Sequence, residues 1–125
     1  MTEKYDVAGL KAFATRLFTA AGMPEERAAT VADMLVDADM MGHDTHGLNL
    51  APQYLSALET GDMPKVGDPE VLSDRGPSVL WDGNYLSGVW LVREAMDIGI
   101  ERARQFGLCG ISKHPACYRI HLAKI

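Results

Sequence analysis

The segment that most constrains the fold lies near the end of the chain, where a long amphipathic helical pattern leads into a short apolar stretch. The helical pattern runs from Gly88 to Phe106, Gly107 follows it as a typical helix C-cap, and the stretch LCGIS occupies residues 108–112. A helix that leads into an apolar strand is half of a β-α-β unit, whose strands normally lie in sheets flanked by further strands. The stretch is therefore predicted to be a buried strand of an α/β domain.

Candidate partner strands precede this helix. The stretch VLSDRGPSVLWDG, residues 71–83, predicts two short strands around a turn at Arg75, Gly76 and Pro77. No other pair of strands is evident, and only a polar and basic segment, residues 113–125, follows the last strand. We therefore expect a truncated sheet domain whose final strand is the least stable part of the fold and promotes oligomers, aggregation or disorder.

The first half of the chain is helical in character. Apolar residues recur at helical spacing over residues 10–21, 24–42 and 50–61, and Gly22, Gly42 and Gly61 follow the three patterns. A loop rich in proline and glycine comes next. The predicted organisation is a helical region over residues 1–66 and the first part of a central α/β domain over residues 67–125.

Charge and apolar content limit the classes of function. The chain has 12 Lys and Arg against 17 Asp and Glu, a net charge of −5, which disfavours binding to nucleic acids and to anionic membrane surfaces. No segment has the roughly 20 apolar residues that span a bilayer, and the N-terminus lacks the apolar core of a secretory signal. A cytoplasmic protein with Cys109 and Cys117 as free thiols is predicted.

The sequence GHDTHG, residues 42–47, is the main candidate site. It places His43 and His46 close together at the end of the second helical pattern, with a hydroxyl side chain, Thr45, beside the second histidine. Histidine changes charge near neutral pH and is suited to proton transfer at a carbonyl or hydroxyl oxygen. Gly47 leaves room for a ligand to approach the backbone, and we expect Thr45 and His46 to line a concave surface. The alternative is that His43 and Asp44 are simply exposed and His46 caps a helix.

Other patterns carry less information. His114, Cys117 and His121 have ligand types that suit zinc or copper, but their spacing is not an established metal motif, and no metal site is predicted. Glycine-rich nucleotide-binding motifs are absent from the sequence. Met34, Met40 and Met41 are predicted to fill the core, as are Trp81 and Trp90.

Three stretches together resemble a known family. They are AATVADMLVDADMMGHDTHGLNLAPQYLSALETGDM, VLWDGNYLSG and AMDIGIERARQFGLCGIS. They are similar to the opening of the malate/L-lactate dehydrogenase family, which also contains ureidoglycolate, sulfolactate and diketogulonate dehydrogenases and does not use a Rossmann fold. The family's hallmark is a small hydroxyl residue, histidine and glycine after a helix, here Thr45, His46 and Gly47, with a tyrosine downstream, here Tyr54.

The resemblance implies an oxidoreductase that uses NAD or NADP to interconvert a 2-hydroxy acid and a 2-oxo acid. His46 would be catalytic, Thr45 and Gly47 would bind substrate or cofactor, and the protein would be a homo-oligomer. Some relatives use a second histidine, whose position falls on Tyr118 by ungapped counting, with His114 and His121 out of register. Many also have an arginine for the substrate carboxylate where this chain has Leu50.

Relatives of this family are more than twice as long, and the additional part carries most of the cofactor-binding residues. The resemblance therefore implies a fragment of a dehydrogenase. A non-catalytic interaction module that has kept the scaffold and lost the chemistry is the alternative.

Overall fold

The computed structural model describes residues 3–113 and divides into two compact units, one up to Lys65 and one from Val66. The first unit has helices α1 (Val7–Ala20), α2 (Glu25–Met40) and α3 (Ala51–Thr60), with two short 3₁₀ turns, Asp44–His46 and Leu48–Leu50, between α2 and α3. The second unit has strands β1 (Glu70–Asp74) and β2 (Ser78–Asp82), helix α4 (Gly88–Phe106) and strand β3 (Gly110–Lys113). This order confirms the predicted α/β class, with a helical region ahead of a sheet.

Helices α1 and α2 pack against each other and form the main core of the first unit. The Asp6 side chain caps α1 by accepting a hydrogen bond from Gly9 N–H at 2.7 Å. Phe18 and Ala14 of α1 are buried, together with five residues of α2: Ala28, Val31, Ala32, Leu35 and Val36. Their helical spacing explains why the two faces meet.

An ion-pair cluster joins α1 to α2 at the edge of this core. Lys11 Nζ lies 2.5 Å from Asp33 Oδ1 and 2.8 Å from Asp37 Oδ1. The hydrogen bond to Asp33, with that to Asp37, raises the pKa of Lys11 above its ordinary value. The cluster places Lys11, in the second turn of α1, beside two aspartates one turn apart on α2.

The methionines at the end of α2 were wrongly predicted to fill the core. Met40 and Met41 are 63% and 72% exposed. Lys11, in the second turn of α1, already pairs with Asp37, so little of α1 remains to cover the last turn of α2. The apolar stripe of α2 therefore loses its covering helix before the α2 helix ends.

The second unit is a three-stranded sheet in the order β1-β2-β3. β1 and β2 form the predicted hairpin, antiparallel around residues 75–77, and β3 runs parallel to β2 with Val79 opposite Ile111. β2, α4 and β3 thus make the predicted β-α-β unit. Val79 and Trp81 are buried, and the burial of Trp81 and Trp90 confirms both tryptophans as core residues.

Strand β3 differs from its prediction in position and burial. It starts at Gly110 instead of residue 108, Leu108 is 69% exposed, and Ile111 and Lys113 are only half-buried. Within the described residues, β3 has β2 on one edge and contacts α4 through Ile111 and Gly99, so only alternate side chains are covered. The prediction of a buried strand was therefore wrong.

A bidentate ion pair ties α4 to the hairpin. Arg102 Nη1 and Nη2 lie 2.9 and 2.8 Å from Asp74 Oδ1 and Oδ2, and Nη1 also donates to Gly76 O at 3.0 Å. The Arg102 guanidinium, helped by Gly76 N–H, lowers the pKa of Asp74 to about 2.

In the part of the chain that the structure covers, no helix is long and apolar enough to cross a bilayer.

Candidate functional site

The candidate site begins where α2 ends. Gly42 has a φ of +80°, and the helix closes with hydrogen bonds from Gly42 N to Asp39 O (3.0 Å) and from His43 N to Ala38 O (2.9 Å). A side chain at Gly42 would meet no atom within 4 Å, so glycine is favoured there by the left-handed backbone alone. Gly42 therefore ends α2 and begins the turn that leads into the histidine cluster.

The cluster itself folds into two consecutive 3₁₀ turns, which the sequence did not predict. His46 N–H donates to His43 O at 2.9 Å, Gly47 N–H to Asp44 O at 3.4 Å, and Leu50 N–H to Gly47 O at 3.0 Å. His43 and Asp44 have exposed side chains and contribute backbone carbonyls to these turns. Gly47 belongs to the hydrogen bonding of both turns.

Thr45 and His46 form a hydrogen-bonded pair. Thr45 Oγ1 lies 2.9 Å from His46 Nδ1, and both side chains are exposed. This bond engages one ring nitrogen and leaves Nε2 as the nitrogen that can exchange a proton with a ligand. When the hydroxyl donates to Nδ1, a neutral ring carries its proton on Nε2 and can give it to an oxygen. Both residues thus lie just after the end of α2 and are open to solvent, and the concave surface expected around them stays a prediction.

Gly47 has a different environment from the one predicted. The space beside it is filled by the Asp39 carboxylate, because a Cβ built on Gly47 would lie 1.8 Å from Asp39 Oδ1 and 2.2 Å from Asp39 Cγ. Asp39 Oδ2 also accepts a hydrogen bond from Leu48 N–H at 2.9 Å. No sequence pattern indicates this contact, because Asp39 and Gly47 are eight residues apart and on different elements. The room predicted for a ligand at Gly47 is occupied by the protein itself.

Positive charge is missing from the segment around the site. Residues 39–53 contain no lysine or arginine, and Leu50, where relatives were expected to have an arginine, is half-buried at the end of the second turn. Tyr54 is buried in α3. The arrangement can exchange a proton at an oxygen atom, but this segment has no lysine or arginine that could bind a carboxylate or the phosphates of a nucleotide.

The remaining candidates cannot be placed relative to His46. His114, Cys117, Tyr118 and His121 lie outside the described residues. Over residues 3–113, no group of three or more His, Cys, Asp or Glu could hold a metal ion. The site that the structure describes is therefore the Thr45–His46 pair with its supporting turns.

Comparison with known proteins gives a consistent picture. Hydroxycarboxylate dehydrogenase B of Escherichia coli K12 is 32% identical over 111 residues, which make up 89% of this chain and 31% of that protein. L-sulfolactate dehydrogenase of Methanothermobacter thermautotrophicus is 34% identical over 98 residues, 78% of this chain and 29% of that protein. The chain thus spans about a third of the length of these relatives.

Structural comparison agrees with the sequence comparison. The sulfolactate dehydrogenase of Methanocaldococcus jannaschii matches 89% of this chain and 32% of its own with a TM-score of 0.84 and 28% identity. The malate dehydrogenase of Pyrococcus horikoshii matches 93% and 36% with a TM-score of 0.85 and 26% identity. Residues 5–116 also match the family model described as malate/L-lactate dehydrogenase. The resemblance seen in the sequence is confirmed, and the chain belongs to the malate/L-lactate dehydrogenase family.

Proposed function

We propose that this chain provides the proton-transfer part of a dehydrogenase site that interconverts a small 2-hydroxy acid and the corresponding 2-oxo acid, with NAD or NADP as the hydride carrier. The observation that carries the proposal is the exposed Thr45–His46 pair, with Oγ1 and Nδ1 2.9 Å apart. Membership of a dehydrogenase family supports the reaction class. The names of the relatives, which include hydroxycarboxylate and sulfolactate dehydrogenases, support the substrate class.

The reaction needs one group that exchanges a proton with the substrate oxygen. Oxidation of a 2-hydroxy acid removes a hydride from carbon and a proton from the hydroxyl oxygen, and reduction of the 2-oxo acid returns both. A nicotinamide cofactor, when bound, would accept or supply the hydride. His46 Nε2 would accept or donate the proton, and Thr45 would hold the ring through Nδ1 so that Nε2 faces the substrate oxygen.

The chain's own residues fit the proton-transfer half of this reaction better than cofactor binding. Residues 39–53 contain no lysine or arginine for the cofactor phosphates or the substrate carboxylate, so no residue of this segment is assigned to either. Gly47 is likewise not assigned to a ligand, because Asp39 fills the space beside it. A homo-oligomer, a cytoplasmic location and a role for Tyr118 or His114 as the second catalytic position remain parts of the proposal.

A chimeric enzyme tests the function. The 125-residue chain alone is expected to show no turnover of malate, lactate or sulfolactate with either cofactor, because it spans about a third of its relatives. Residues 5–113 would replace the matching segment of the Escherichia coli hydroxycarboxylate dehydrogenase B. We expect this chimera to oxidise NADH or NADPH in the presence of a 2-oxo acid. A folded chimera that binds the cofactor but is inactive would contradict the proposal and favour a non-catalytic interaction module.

A further inference from the structure

We propose that Asp39 is a positioning residue for His46: its carboxylate holds the backbone at Gly47 and Leu48 and thereby fixes the turn that carries Thr45 and His46. The functional meaning of this contact rests on the proposed role of His46 in proton transfer. The contact itself is a property of the first unit, since Asp39 lies in the last turn of α2 and the other residues lie between α2 and α3.

The position of Asp39 is unfavourable for a carboxylate that makes no specific contact. It lies in the last turn of α2, where the negative end of the helix dipole disfavours anions, and it is half-buried. The hydrogen bond from Leu48 N–H to Asp39 Oδ2, 2.9 Å long, offsets this cost. The same bond crosses from α2 to the second 3₁₀ turn, so it fixes the loop against the helix.

The contact with Gly47 explains why a glycine follows the histidine. Gly47 has a φ of −96°, outside the left-handed region that favours glycine. The Asp39 carboxylate leaves no room for a side chain there, because a Cβ on residue 47 would overlap Oδ1 and Cγ. Gly47 and Asp39 are therefore packed against each other, and a substitution of either residue takes the carboxylate away from the loop.

The placement of His46 depends on this contact between Asp39 and Gly47. The His46 side chain is exposed, and its hydrogen bond is to its neighbour Thr45, so within residues 3–113 no distant side chain orients the ring. Its geometry therefore follows the backbone of residues 44–47. Gly47 N–H bonds to Asp44 O and Gly47 O accepts from Leu50 N–H, so anchoring residue 47 anchors both turns. Without Asp39, the first turn would be populated only in part.

Nitrogen chemical shifts of the histidine rings test this proposal in the purified 125-residue chain, without any need for turnover. These shifts report which ring nitrogen carries the proton and whether Nδ1 is hydrogen-bonded. We expect one dominant tautomer for His46 in the unsubstituted chain, and averaged nitrogen shifts in Asp39→Ala. Thr45→Val, which removes the hydroxyl, gives the reference for complete loss of the bond. The shifts of His43 serve as an internal control and should not change.

Two further variants separate positioning from general loosening of the helix. Asp39→Asn should restore the His46 shifts, because its amide oxygen can still accept from Leu48 N–H. Asp37→Ala removes a carboxylate from the same helix without touching Gly47, and it should leave His46 unchanged. Should Asp39→Ala fail to fold, Gly47→Ala provides the same test by displacing the carboxylate.

Three results would overturn the proposal. They are unchanged His46 shifts in Asp39→Ala or its substitute, an equal change in Asp37→Ala, and no recovery in Asp39→Asn. An inactive chimera would instead refute the proposed reaction and leave the positioning of His46 by Asp39 intact. The two experiments therefore fail independently.

Discussion

Replacement of Gly47 by alanine should destabilise the first unit through the displacement of Asp39. The built Cβ lies 1.8 Å from Asp39 Oδ1, and ordinary contact begins at 3.4 Å, so the carboxylate must move by roughly 1.6 Å, the difference of the two distances. The 2.9 Å hydrogen bond to Leu48 N–H does not survive such a shift. Hydrogen bonds to charged groups contribute about 1.5–3 kcal/mol, so we expect Gly47→Ala to lower the free energy of unfolding by about 2 kcal/mol.

A double-mutant cycle isolates this interaction. Asp39→Ala alone loses the same hydrogen bond and should also cost about 2 kcal/mol. The double variant should then cost about 2 kcal/mol instead of about 4, because the added methyl group enters space that the carboxylate has left. Gly42→Ala is the matched control: it has a left-handed backbone and no atom within 4 Å of the new Cβ. Its cost of about 1 kcal/mol should be the same with and without Asp39.

Urea denaturation followed by far-ultraviolet circular dichroism provides the free energies, since α1, α2 and α3 of the first unit contain most of the helical residues that the structure describes. Additive costs for Gly47→Ala and Asp39→Ala would refute the reasoning, because they would show that the carboxylate does not occupy the space beside residue 47.

Three other predictions concern the core, the acid response and the last strand. Phe18→Ala should lower the free energy of unfolding by about 3–5 kcal/mol in the same denaturation assay, because Phe18 is fully buried. Phe13 is 52% exposed on the same helix, so Phe13→Ala should lower it by less than about 1 kcal/mol. The folded-state pKa of Asp74, about 2, lies below its ordinary value of 3.8, so its pair with Arg102 stabilises the protein above about pH 4. This contribution is lost as the pH falls through about 2. Asp74→Asn should therefore weaken the dependence of the free energy of unfolding on pH in this acid range. Hydrogen exchange should be faster in residues 110–113 than in the buried part of α2, and equal protection would contradict the one-sided pairing described for β3.

Much of the fold follows from signals that are local in sequence. The bounds of α4 were predicted at Gly88 and Phe106 and are observed there, because Ser87 caps the start and Gly107, with a φ of +88°, ends the helix. The hairpin was equally predictable, since Gly76 has a φ of +83° in the turn between two short apolar runs. Caps and turns depend on a few adjacent residues, so one sequence is enough to place them.

Burial was harder to predict because it depends on distant parts of the chain. The apolar pattern of α2 includes Met40, but the pattern cannot show how far α1 covers the helix, and this side chain is exposed. The stretch LCGIS, residues 108–112, is apolar enough to suggest a buried strand, yet the burial of β3 depends on the neighbouring elements that cover it. In both cases the apolar residues were evident from the sequence, but their burial depends on elements that are distant in sequence.

The candidate site shows the same division. Thr45 and His46 are adjacent in sequence, so their pairing could be anticipated, and the exposure of His43 and Asp44 agrees with the simpler alternative for those two residues. The contact between Asp39 and Gly47 joins the last turn of α2 to the 3₁₀ turns that follow it, and the way these elements pack could not be read from the sequence. A glycine expected to admit a ligand was therefore found to admit a carboxylate of the chain itself.

Turnover of the chimeric enzyme with His46→Ala is the most direct test of the central claim, that His46 exchanges the proton with the substrate oxygen. The matched control is His43→Ala, an exposed histidine three residues away that gives its backbone carbonyl to the same turn. Loss of a proton-transfer group typically slows a reaction by about 100-fold to 10,000-fold. We predict that His46→Ala lowers kcat by at least about 100-fold and retains cofactor affinity. His43→Ala should change kcat by less than about threefold, because the His43 side chain takes no part in the proposed proton transfer. A His46→Ala chimera that reduces the 2-oxo acid as fast as the unsubstituted chimera would contradict the account.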